Sequence, residues 1–194
     1  MDKWLSVARW SLVGVMVLFF LLMFLPISYP PEITPAQQII NTLGNVVFPV
    51  VISLLLALFH AGFARFSYGT TKWLGISSGL LGVYYLFVMI EFSQLFEFRL
   101  ATWSTPGDVV PTLILIALTA AFGIGLPMGR KQVGTFGAVA GTLFLIGVLS
   151  GIAAFPASGD LVMLLSSIGA AVVGFGYVFL LIALFDEVKK KTVL

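Results

Sequence analysis

Of the 194 residues, 60% are hydrophobic and only 9% carry a charge, with a mean hydropathy of +1.12. A soluble domain carries roughly 25% charged residues, so an ordinary soluble fold, a disordered chain and a nucleic-acid-binding protein are excluded, and the composition points to an all-α, polytopic membrane protein. The formal charge of +2 comes from few groups (10 Lys and Arg against 8 Asp and Glu), so their positions matter more than their total. The chain has no Cys, which excludes disulfides, Fe–S clusters and thiolate zinc sites. A single histidine, His60, excludes bis-His haem ligation and multi-imidazole metal sites within this chain. No cofactor or metal is expected.

A helix needs about 20 apolar residues to cross the hydrocarbon core, and six segments meet that length in chain order. The first is Ser11–Tyr29. It follows Lys3 and Arg9 and is stopped by Pro30 and Pro31. No A-x-A site follows its apolar run, so it is expected to be a retained helix rather than a cleaved signal. The second is Asn41–Phe63, for which Thr34, Pro35 and Gln37 form a helix-start pattern ahead of the apolar core. The third is Leu74–Phe92. The fourth, Val109–Met128, is preceded by Thr105, Pro106 and Asp108. The fifth is Val133–Phe155, and the sixth, Leu161–Phe185, starts after Ser158 and Asp160. The remaining loops and tails are too short for a separate soluble domain, so residues 1–194 are read as one six-helix transmembrane bundle.

The cytoplasmic side of a membrane protein collects Lys and Arg. Lys3, Arg9, Arg65, Lys72, Arg130, Lys131 and the run Lys189–Lys191 all fall on one side of a six-span topology, while Arg99 alone falls on the other with Glu32, Glu97, Asp108 and Asp160. Both termini are therefore expected in the cytoplasm, in a plasma membrane of prokaryotic type.

Helices in lipid gain little from hydrophobic burial against one another and associate through close approach over small residues. Gly75 and Gly79 in span three, and Gly137, Gly141, Gly147 and Gly151 in span five, are expected at such contacts. Span one, with Gly14 alone, reads as a peripheral helix facing lipid or a partner. Lys72-x-x-Gly75 and Lys131-x-x-Gly134 form a short repeat, as two parallel hairpins would, although any cytoplasmic turn before a packed helix can carry that pattern.

Ionisable groups inside a bilayer are functional candidates by default, and there are few. His60 lies toward the cytoplasmic end of span two. It is a proton relay or, as the plainer reading, a donor to a backbone carbonyl near the headgroups. Glu91 ends span three on the outer side, where it binds a cation or reaches water. Asn41 and Asn45 lie one turn apart near the outer end of span two, with Pro49 following. They shape a small polar cavity, or act as interhelical glue beside a kink. The outer segment 92–107 has the spacing of a short amphipathic surface helix, a lid, docking surface or interfacial anchor.

No P-loop, G-x-S-x-G, H-E-x-x-H or paired-acid motif is present. These residues lead us to expect a non-catalytic integral subunit of a larger membrane complex, for example an energy-converting one, with the lipid bilayer, other integral subunits and a quinone or lipid as partners. A small-solute transporter or substrate-binding subunit, using Asn41, Asn45, Glu91 and His60, is the alternative. A lipid or quinone enzyme is the third possibility.

Overall fold

Proline sets where the first helix ends. The residue before a proline is disfavoured in the helical region, and α1, Lys3–Leu22, stops four residues ahead of Pro26 in tightening turns: Phe24 N–H donates to the Leu21 carbonyl at 3.1 Å and Leu25 N–H to that of Leu22 at 3.2 Å. The first helix thus lies earlier than the expected Ser11–Tyr29. Hydropathy excludes charged residues from a span, yet Arg9 is part of this helix and is only 8% exposed. The computed structural model describes residues 3–27, 34–92, 109–154 and 160–192, with side chains for all of these except 92, 109–111, 132 and 187–192.

The second helix, α2, runs from Pro35 to Tyr68, well beyond the expected Asn41–Phe63 at both ends. Its start is the anticipated cap: Thr34 Oγ1 accepts from Gln37 N–H at 3.2 Å, with Pro35 in the first turn. Pro49 brings no N–H to the helix. The strain is absorbed immediately upstream by a π turn, Leu43–Val47, so the helix stays continuous where a proline would otherwise break it. A short turn leads to α3, Lys72–Phe92. Then follow α4, Val109–Met128, α5, Arg130–Ala154, and α6, Asp160–Thr192. Within the first turns of α5, Gly134 has φ 66° and ψ −165°, a backbone region closed to other residues. It bends the chain out of the α4–α5 connection. Gly75, the other half of the short repeat, lies inside a regular helix, so the two glycines do different work.

All described secondary structure is helical. Five helices are long and apolar enough to cross a membrane, and the described part of α4, Thr112–Met128, is a shorter apolar helix. Each helix packs on the next in sequence, and α6 returns to α1 to close the ring. Arg9 and Phe185 meet at 4.9 Å, which brings the start of α1 and the end of α6 to the same end of the bundle. The expected surface helix at 92–107 lies outside the described residues, apart from the backbone of Phe92.

The small-residue contacts are uneven. A Cβ on Gly141 would sit 2.5 Å from the Gly123 carbonyl oxygen of α4, and one on Gly147 would sit 2.5 Å from Val173 and 3.1 Å from the Gly169 carbonyl oxygen of α6. At Gly75 the close neighbour is Tyr68 Cα, 2.7 Å away across the α2–α3 turn. Gly79 and Gly151 face Ala64 and Ile116 at ordinary distances of 3.7 and 3.6 Å. Gly137 faces Val133 of its own helix across the Gly134 bend, so it serves the bend and not an interhelical seam. Gly62, passed over in the sequence, carries the α1–α2 crossing: a Cβ there would lie 2.8 Å from the Trp4 carbonyl oxygen and 3.0 Å from Ala8 N. The first helix is seated through its partner's glycine. Its last turns, with Phe19, Phe20 and Leu21, are exposed.

Candidate functional site

The buried stripe of α2 is Ser53, Leu56, Phe59, His60, Phe63 and Ser67. Three- and four-residue steps keep such residues on one face. On α3 the matching stripe is Leu74, Ser77, Ser78 and Leu81, continued by the half-buried Tyr85. Where these faces meet, His60 is fully buried, about 12 Å of helix from the end of α2.

Its hydrogen bonds fix its state. Ser78 Oγ lies 2.9 Å from the His60 carbonyl oxygen. A carbonyl only accepts, so the Ser78 proton lies on that contact. Ser78 Oγ is also 3.1 Å from His60 Nδ1, so Nδ1–H donates to it. Nε2 is then the lone-pair nitrogen of a neutral imidazole and accepts from the Tyr177 hydroxyl of α6 at 2.9 Å. The Tyr177 oxygen in turn accepts from the Tyr85 hydroxyl over a long 3.4 Å. The result is a directed chain from Tyr85 through Tyr177 and His60 to Ser78, ending on a main-chain carbonyl.

Rings enclose this chain. Tyr85 stacks on His60 at 5.5 Å and 14°, and Phe122 of α4 meets the imidazole edge-on at 5.1 Å. Phe144 of α5 meets Tyr177 edge-on at 4.9 Å, and Phe59 packs on both His60 and Tyr177. Phe59, Phe63, Phe122 and Phe144 are all at most 1% exposed. Five helices, α2 through α6, each place a side chain here. Edge-to-face pairs contribute roughly 0.5–1.5 kcal/mol each beyond their buried area.

The other three candidates lie elsewhere. Asn41 Oδ1 accepts from Gln37 Nε2 at 2.9 Å, and the same amide donates to the Pro26 carbonyl at 3.0 Å. This cluster pins the chain leaving α1 onto the start of α2, and Ile27 lies over Gly44 beside it. Asn45, on the π turn, is exposed. It precedes His60 by fifteen residues, about 22 Å of helix. Glu91 follows Ser78 by thirteen, about 20 Å in the antiparallel neighbour. Asn45 and Glu91 therefore share one end of the bundle, while His60 occupies its interior. The four do not form one cavity.

Sequence reasoning passed over Ser78, Tyr85, Tyr177, Phe122 and Phe144. The available signal was a phenol or hydroxyl well inside an apolar span, away from the interfacial belts where Tyr is ordinary. Among the described residues no three His, Asp or Glu side chains come together. Comparisons with protein-family models, with curated proteins and with solved structures return no match.

Proposed function

We propose that this chain is a non-catalytic integral subunit of a larger membrane assembly. In this reading it crosses a prokaryotic-type cell membrane six times, with both ends in the cytoplasm on the side of the Lys and Arg residues. It offers apolar helix surface to partner subunits, lipid or a quinone. The observation that supports this is the state of His60. Both of its ring nitrogens are engaged within the chain, and rings pack the space around it, so its chemistry is spent on joining helices. Meanwhile large side chains stay exposed along the flanks of α1 and α6, among them Phe20, Met163, Leu164 and Phe175. Purification in mild detergent tests the proposal: co-migration with larger subunits at fixed stoichiometry supports it, and a discrete monomer or homo-oligomer overturns it.

The transporter reading draws on Asn45 and Glu91 sharing one end of the bundle. Transport sites usually lie near the midplane on broken helices; Asn45 lies on the π turn of a continuous helix, and Glu91 lies one residue from the end of α3. Vesicle flux with Asn45→Leu and Glu91→Gln separates the readings. Unchanged flux in both variants removes transport through this end.

A further inference from the structure

Among the described residues, Arg9 is the one buried charged side chain, 8% exposed. The contacts the structure gives its guanidinium are ring faces, Trp10 at 5.3 Å and Phe185 at 4.9 Å. Its Nε is buried with no hydrogen-bond partner among the described residues. Arginine stays charged under all ordinary conditions, and a buried cation is costly unless an anion and hydrogen bonds compensate it. Ring faces offer a cation electrostatic attraction but no acceptor lone pair in the guanidinium plane. Among the described residues, none supplies Nε with an acceptor in that plane.

The surroundings define the partner's chemistry. Trp10 and Phe185 are both exposed on their outer sides, as is Trp4 one turn and a half before Arg9. A tryptophan-flanked cation within the first turns of a membrane helix lies at the depth of the headgroups. The exposed Lys3 and Arg65 add positive charge to the same end, since Gly62 of α2 packs against Ala8, and stand against the half-buried carboxylate of Asp186 next to Phe185. A guanidinium fork suits a phosphate oxygen pair.

We propose that the contact between α1 and α6 is a binding site for the phosphate of an anionic phospholipid, held by Arg9 between the Trp10 and Phe185 rings. This inference rests on the membrane reading but not on membership of a larger assembly. The lipid seals the ring of helices at the place where its first and last members meet.

The test uses the full chain, delipidated in detergent. Its unfolding midpoint is followed with added phosphatidylglycerol, phosphatidylcholine or inorganic phosphate, and native mass spectrometry counts retained lipid. Phosphatidylglycerol at a hundredfold excess over its Kd raises the midpoint by roughly 5–10 °C. Phosphatidylcholine and inorganic phosphate give little, and Arg9→Met abolishes both the rise and the retained lipid. Should Arg9→Met fail to fold, Arg9→Lys retains charge without the fork and shows a reduced rise with fewer bound lipids. An undiminished rise in either variant overturns the site. An equal rise with inorganic phosphate overturns the lipid as its source. An Asp186→Asn variant that destabilises the lipid-free protein as Arg9→Met does, in a protein that phosphatidylglycerol leaves unmoved, shows an internal ion pair instead and also overturns the proposal.

Discussion

The state of one imidazole can be tested directly. Interhelical hydrogen bonds in membrane proteins average about 0.6 kcal/mol and reach about 1.7, while orphaning a buried polar group costs about 1–3 kcal/mol. Tyr177→Phe should therefore destabilise the bundle by about 1 kcal/mol, and His60→Leu, which takes the acceptor from the Tyr177 hydroxyl and the Nδ1–H donor from Ser78 while leaving Ser78 bonded to the main-chain carbonyl, by about 1–3 kcal/mol. In a double-mutant cycle the two should couple by roughly 0.6–1.7 kcal/mol. Detergent-unfolding curves measure all three quantities, and strict additivity would show that the 2.9 Å contact carries no energy. His60 was visible in the sequence as the only histidine. Its surroundings were not, because its proximity along the chain to Arg65 suggested a headgroup position. Its partner Tyr177 stands 117 residues away, beyond the reach of any local pattern.

At the scale of elements, starts, stops and hydrophobic length were legible, because proline and capping chemistry act over three or four residues. Thr34, Pro35 and Gln37 behave as their order implies. Which glycines meet another helix was not legible, because a small residue marks an opportunity for close approach and the neighbour decides whether it is taken. Gly141→Ala should destabilise by about 1–3 kcal/mol, since the added methyl meets the main-chain oxygen of Gly123 and has no soft side chain to displace. Gly174→Ala is the matched control in α6: nothing lies within 4 Å of its Cβ position, and the change should be neutral or stabilising by up to about 1 kcal/mol. The same unfolding assay reads both. The π turn gives a further outcome. Pro49→Ala returns an N–H to the ladder, letting Leu43–Val47 revert to regular α-helix and turn Gly44 away from Ile27. The chain has no cysteine of its own, so an Ile27→Cys, Gly44→Cys pair can be followed cleanly, and its crosslinking yield should fall in the Pro49→Ala background.

Across the whole molecule, the ring of sequence neighbours makes nearly every helix contact local, a topology that favours rapid assembly. Single cysteines replacing Lys3 and Thr192 should react with an impermeant maleimide from the same side of sealed vesicles, and labelling from opposite sides would refute an even number of crossings. Besides the α1–α6 closure, the centre itself departs from local pairing. Tyr177 belongs to the last helix, whereas His60 and Ser78 belong to α2 and α3. During synthesis α2 and α3 therefore wait with an imidazole lone pair unsatisfied until α6 has been made. A nascent chain cut short before Tyr177 would hold a buried imidazole whose Nε2 has lost its donor, so the centre closes only when α6 has joined the helices made before it.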